Sequence, residues 1–348
     1  MRSRHGSTIF LRLGVFVCVC VIGASNSTAL AADSRATPQK TAVTRGLAWL
    51  AANQGKDGGF AAANHAGVAV TSLAGMAFLA SGSDPGKGEY GKPLAAAAAY
   101  VLAHQDKATG LISIDDKQGP VMYGHGYATL FLCELYLRNR DPSTKQAIEN
   151  ALALLNRSAS KEGGWRYLPR PIDADVSVTA CELNALLAAR AAGIAVDARV
   201  IENAIAYVNR CQIRDGGFTY MAGQGPVGRS GLPRSAAAVA VVLHGGAAAD
   251  NQDVNRGISY VTPFVAAEAD SSPGEGHYWY GAYYASQWLP AAGDQAHQAY
   301  TRLSDQIVAG QKPDGSWADP IGPEYATACA LLVLQAPDRR LWIYRGGR

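Results

Sequence analysis

The sequence predicts an all-α fold, an α/α toroid of six helix hairpins arranged as an inner and an outer ring of helices. Three observations carry that prediction. A glycine-aromatic turn recurs at a spacing of about 50 residues. The sequence changes from amphipathic to uniformly apolar across each turn, and six hydroxyl residues mark six apolar stretches.

The turn reads Asp57-Gly58-Gly59-Phe60 in the first unit, Thr109-Gly110-Leu111-Ile112 in the second and Gly163-Gly164-Trp165 in the third. It returns as Asp215-Gly216-Gly217-Phe218 and Asp314-Gly315-Ser316-Trp317, with two shorter units between these last two. Before the turns, Ile148, Ala151, Leu152 and Leu155, and then Ile201, Ala204, Ile205 and Val208, keep the spacing of helices with one wet face. These are outer helices. Ser143 and Asp197 suit their N-caps, and Gly193 followed by Ile194 suits a Schellman stop. After the turns, Val178 to Ala192 and Ala236 to Leu243 are apolar or small almost all round, as inner helices packed on every side must be. Thr71, Thr129, Thr179, Ser235, Ser286 and Thr327 are taken as one mark at the start of each inner helix. The last unit still carries a full inner helix, Tyr325 to Gln335, which needs a neighbour and so favours a closed ring over an open solenoid.

Composition bounds the rest. Of 348 residues, 48% are hydrophobic and 17% charged, which suits a globular chain with a large core. Arg2, Arg4 and Arg12 precede an apolar run, Leu13 to Gly23, and small residues ending at Ala31, the pattern of a secretory signal peptide cleaved near Ala31. Export to the periplasm or the extracellular space follows, with no transmembrane span in the mature chain. Cleavage removes three of the 31 basic residues and none of the 28 acidic ones, so the mature chain is formally neutral and lacks the basic stripe that nucleic acid requires. The expected organisation is a leader at 1–31, a linker at 32–40, the toroid at 41–340 and a tail at 341–348. Cys133, Cys181, Cys211 and Cys329 stand singly in apolar or helical contexts, the pattern of small buried residues, although one or two disulfides are compatible with export.

The glycine-aromatic turns resemble the repeats of squalene-hopene-type terpene cyclases and protein prenyltransferase β subunits over roughly Thr41 to Arg340. Four runs (122–136, 163–186, 233–240 and 325–335) are similar to exported single-toroid members, terpene cyclase/mutase-like and common in planctomycete bacteria. The resemblance implies the toroid and, for the cyclases, protonation of an alkene by an aspartate of a DxDD motif. Asp173-Ala174-Asp175-Val176 stands at the matching place, with Asp175 as donor, Asp173 as its first partner and Val176 where the last aspartate would be. The Asp-x-Cys pair that holds zinc in prenyltransferases is not matched, nor is the Cys-Gly-Glu-Gln signature of thioester toroids. No cofactor and no metal are expected. His125, Asp175 and His277 are nonetheless of ligand type.

Counting back from the hydroxyl marks sets His125 in register with Asp175, and Tyr123, Asp173, Arg229 and Tyr280 with His65, all ahead of inner helices and facing one mouth of the barrel. Such convergence points to a ligand site. Asp175, Asp173 and His125 are the candidate catalytic residues. Tyr123, Tyr127, Arg234, His277, Tyr280, Tyr284 and Tyr325 are the candidate ligand-binding residues, while Trp279 and Trp288 are assigned to packing. Asp173 and Asp175 equally suit the caps of an inner helix. The expected ligand is a small molecule or lipid, handled by a cyclase-like isomerase, a carbohydrate-active enzyme on the same toroid, or a toroid that binds without catalysis.

Overall fold

Twelve α-helices follow one another as six hairpins in the computed structural model, which describes residues 25–61, 66–114, 119–223, 229–248, 250–267 and 277–346. The outer helices are α1 (Ser25–Ala52), α3 (Gly91–Ala103), α5 (Pro142–Ser158), α7 (Ala198–Arg210), α9 (Gln252–Ala267) and α11 (Asp294–Ala309). The inner helices are α2 (Gly67–Ala80), α4 (Val121–Asn139), α6 (Val176–Ala191), α8 (Leu232–His244), α10 (Tyr278–Ser286) and α12 (Pro323–Gln335). Among the described residues, extended pairing is confined to isolated bridges. The predicted leader lies outside the description as far as residue 24, and so does His65. The chain divides into Met1–Pro38 and Gln39–Arg348, and the toroid belongs to the second unit.

Sequence periodicity translates directly into position. Every residue of α2 is buried, whereas α7 buries only Ile201, Ala204, Tyr207 and Val208 and turns its polar face to water. The inner helices pack in the order α2, α4, α6, α8, α10, α12, and α12 returns to α2, which closes the ring. Gln335 Nε2 donates to the Ala77 carbonyl across that junction at 3.2 Å.

The turns are built on a glutamine that the sequence reading did not single out. Gln54, Gln105, Gln212 and Gln311 each donate from Nε2 to a carbonyl of their own turn (Gly58, Gly110, Gly216, Gly315) and to one in the next outer helix around the ring (Pro93, Ala147, Asp253, Ala42). The turn glycine then lies against the same helix one turn on. Gly216 has φ of 91°, and a Cβ on it would stand 2.4 Å from the Arg256 carbonyl oxygen, so conformation and clearance both demand glycine. Gln311 spans the closing junction, with both bonds at 2.9 Å. Gln311→Ala removes two neutral hydrogen bonds and is expected to cost about 1–3 kcal/mol in urea unfolding. A loss below a few tenths would show that the clamp is decorative.

The hydroxyl marks need one correction. Thr71, Thr179, Ser235 and Thr327 each accept the backbone N–H of the turn aromatic before them, Phe60, Trp165, Phe218 and Trp317, at 2.9 to 3.1 Å. In the second unit that acceptor is Nδ1 of His125, which takes the Ile112 N–H at 3.2 Å. Thr129 sits one helical turn deeper and bonds the His125 carbonyl, and Ser286 ends α10 with a bond to Tyr283. His125 is therefore the counterpart of Thr179, and its register with Asp175 is withdrawn. A smaller correction concerns α5, whose cap is Asp141, accepting from Thr144 N at 2.8 Å, with Ser143 just inside the helix. Asp197 caps α7, and Gly193 with Ile194 forms the expected stop.

Candidate functional site

The mouth of the barrel lies at the N-terminal ends of the inner helices, where the loop 166–175 is stitched to both neighbouring units. Met122 N donates to the Tyr167 carbonyl, and Val176 N to the Tyr220 carbonyl at 3.0 Å. Tyr207 Oη holds the Ala174 carbonyl at 2.5 Å, and Asp175 N holds that of Trp165 at 2.9 Å. These bonds fix the backbone of Asp175 from three sides.

The Asp175 side chain is fully buried. Oδ1 accepts the Val178 N–H at 2.9 Å, which caps α6, and Oδ2 accepts the Tyr220 hydroxyl at 3.3 Å. Burial pushes the carboxyl up to about 6, against the pull of the Val178 and Ser177 amides, Tyr220 and Arg166. Capping and a second polar contact thus coexist on one carboxyl. Tyr220 passes the chain on, since its hydroxyl is 2.6 Å from that of Tyr167, a ring that is 40% exposed. Arg166 binds Asp173 and lies over the rings of Tyr167 and Tyr220 at 5.4 and 5.7 Å. Asp173 is half-exposed and committed to that guanidinium.

Tyrosines fill the space beneath. The Tyr123 ring lies 6.3 Å from Tyr167 and 6.4 Å, edge-on, from Tyr280, whose hydroxyl donates to the Ser177 carbonyl at 2.9 Å. Tyr280 meets Tyr284 with its ring tilted by 51° at 4.7 Å, Tyr284 meets Tyr283 at 4.9 Å, and Tyr283 meets Tyr127 at 6.0 Å. Tyr325 of α12 joins this group beside Cys329, its hydroxyl acidity suppressed by burial first and by Cys329, Asp319 and Tyr123 after it.

Three predicted residues are employed otherwise. His125 turns outward, bonded to Ile112 N and, through Nε2 at 3.3 Å, to the Ala151 carbonyl of α5. Burial lowers it to about 4, so the ring is neutral and both nitrogens are taken. Arg234 clamps the Phe218 and Arg229 carbonyls at 2.9 and 2.6 Å. His277 is exposed at φ 69° ahead of α10, near Asp319. The structure does not bring His125, Asp175 and His277 together, and among the described residues no three His, Cys, Asp or Glu side chains are placed to hold a metal. All four described cysteines are buried and free. No described helix is long and apolar enough to cross a membrane.

Sequence reasoning missed Arg166, Tyr167 and Tyr220. A signal was present, for all three lie one or two residues after a turn aromatic, Trp165 or Phe218, where the chain leaves the turn for the mouth.

Toward the other ends of the inner helices, residues 341–344 pack against α4 and α12. Leu341, Trp342, Ile343 and Tyr344, set apart by sequence as a tail, are buried. Glu134, fully enclosed on α4, accepts the Trp342 and Ile343 N–H groups at 3.0 and 3.3 Å. Burial pushes Glu134 up to about 7, against those amides and Arg138. The folded state therefore holds a proton that the unfolded chain releases from about pH 4.5, and its share of stability is lost as pH rises from there to about 7, by roughly 3 kcal/mol. Glu134→Gln cannot titrate, so the unfolding free energy of wild type relative to the variant should fall across that window. A flat difference between pH 4.5 and 7 would contradict this.

No protein-family model matches the chain, and no curated protein does. Solved structures do match. A type II terpene cyclase from Scytonema, determined with geranylgeranyl dihydroxybenzoate, superimposes with a TM-score of 0.60 at 13% identity, covering 88% of this chain and 99% of that one. An α-1,6-mannanase from Salegentibacter gives 0.63 at 8% identity, covering 87% and 99%. A cellobiose 2-epimerase from Spirochaeta thermophila gives 0.61 at 12%, covering 88% and 98%. At such identities the likeness is one of fold. The α/α toroid is shared with a terpene cyclase, a glycosidase and an epimerase.

Proposed function

We propose that the protein is an exported, terpene cyclase-like isomerase of the single-toroid kind, in which Asp175 protonates an alkene of a neutral polyprenoid. One observation carries this reading. A carboxyl enclosed among Tyr123, Tyr220 and Tyr280 is held near pKa 6, so a useful fraction is protonated near neutral pH. The proton goes to an alkene carbon, the π electrons form the new C–H bond, and the cation left on the neighbouring carbon meets tyrosine faces. A proton lost from the final cation balances the one given, so the product is an isomer. The hydroxyl chain from Tyr220 to the partly exposed Tyr167 returns a proton to Asp175 from solvent.

The fold also serves glycosidases, whose chemistry calls for two carboxyls flanking one bond. Here Asp173 is occupied by Arg166, so the loop 166–175 offers one buried acid, Asp175, rather than a pair, which favours hydrocarbon over sugar. Export, expected from the leader, separates the protein from cytoplasmic prenyl diphosphates and also favours a neutral lipid.

Incubation with a panel of acyclic neutral polyprenes in D2O tests the reading. The expected product has the substrate's formula with one carbon-bound deuterium by mass spectrometry. A panel recovered unchanged and unlabelled removes the proposal.

A further inference from the structure

Arg166 sits where the third and fourth units meet at the mouth. Its guanidinium is ion-paired with Asp173 and lies over two rings, with Cζ 5.4 Å from the centre of Tyr167 and 5.7 Å from that of Tyr220. Tyr167 and Tyr220 are 53 residues apart in sequence, yet their hydroxyl oxygens stand 2.6 Å from each other, and Tyr220 Oη is 3.3 Å from Asp175 Oδ2. A cation anchored by Asp173 and resting on both rings ties the two units together at this contact. Arg166 also donates to the Tyr220 hydroxyl oxygen.

Counting protons gives the hydroxyl chain a direction. A guanidinium only donates, an ionised carboxylate only accepts, and a phenol has one proton to give. With Arg166 on its oxygen, Tyr220 keeps its proton for Asp175 or Tyr167, and the carboxylate is the stronger acceptor. Tyr167 then gives its own proton to Tyr220. We infer that Arg166 is a positioning residue, which clamps Tyr167 and Tyr220 and points their hydroxyl protons inward to Asp175. When Asp175 is reprotonated, the Tyr220 O–H bond breaks as the Asp175 O–H bond forms, and the Tyr167 proton passes to Tyr220. Hydronium from solvent refills Tyr167 and leaves as water. Negative charge gathering on the Tyr220 oxygen during the transfer faces the guanidinium, which opposes the rise that burial imposes on that phenol. Tyr123, Tyr207, Cys211 and Tyr280 also face the Asp175 carboxyl, and none of these neutral groups can replace a cation. The inference rests on the proposed reading only for the use to which the proton is put.

Titration of Asp175, rather than turnover, tests it. Carbon NMR of protein labelled at its aspartate carboxyls would follow the signal that disappears in Asp175→Asn, with a midpoint expected at about 6. Tyr220→Phe should raise the proton affinity of Asp175 by about threefold or more, because the carboxylate loses a donor. Made in Arg166→Gln, or in Arg166→Lys, which keeps the charge but loses the planar fork, the same change should alter that affinity by less than about twofold. Should one of the two backgrounds not fold, the other is read alone. A Tyr220→Phe effect of full size in either background means that Arg166 acts through its charge only, and the positioning role is overturned. Absence of any effect of Tyr220→Phe in the wild-type protein overturns it as well. No substrate enters the measurement, so a protein that turns nothing over would still show the coupling, and failure of the proposed activity is separable from failure of this inference.

Discussion

Asp175→Asn is expected to lower turnover of a protonated substrate by about 100-fold or more while leaving the fold intact. The asparagine carbonyl can still accept the Val178 amide, so the cap survives, and the unfolding free energy should change by no more than about 1 kcal/mol. Wild-type activity should also decline as pH rises through about 6, because only the protonated carboxyl donates. The amide has no proton to give at any pH, so the residual rate of the variant should lack that limb. Equal rates in variant and wild type would reduce Asp175 to a cap and remove the cyclase reading with it.

A chain ending at Arg340 should fail to reach the native state. It would lack Leu341, Trp342, Ile343 and Tyr344, all buried, and would leave Glu134 enclosed without the two amides it accepts. Truncating one buried Leu, Ile or Trp side chain typically costs about 2–5 kcal/mol, and four together rival the whole stability of about 5–15 kcal/mol. The expected result is insoluble protein, or helical signal without a cooperative melt. A truncated chain melting within a few degrees of full length would show that the segment is dispensable. Trp342→Ala alone is the graded version, at about 3–5 kcal/mol.

The hairpins were legible because glycine-aromatic turns and helical periodicity are local, and the glutamine clamp behind the turns is equally local once seen. Tertiary partnership was not. His125 resembles a site residue in sequence, yet its ring does in the second unit what a threonine does in the third, a substitution that a list of hydroxyls cannot register. Asp175 was singled out through the DxDD resemblance, and Tyr123, Tyr280 and Tyr284 through register and aromatic density. Tyr220 escaped because it reaches Asp175 from the following repeat, 45 residues away. The segment set apart as a tail is buried at Leu341, Trp342, Ile343 and Tyr344, and nothing in its own sequence names the neighbours that bury it.

Closure between α12 and α2, reinforced where Arg45 of α1 donates to the Lys312 and Pro313 carbonyls, joins residues more than 250 positions apart. An open array of helical hairpins can nucleate anywhere and fray from its ends. A closed one has no ends to fray. The junction contacts carry the largest sequence separations in the molecule and must pay the loop-closure entropy of most of the chain. They therefore form late, and a state with six hairpins made but the junction open is the natural intermediate in folding. Once shut, the ring ties the opening of any one hairpin to the strain on its two neighbours, so amide exchange from the inner helices should be governed by a single global event rather than by position along the chain.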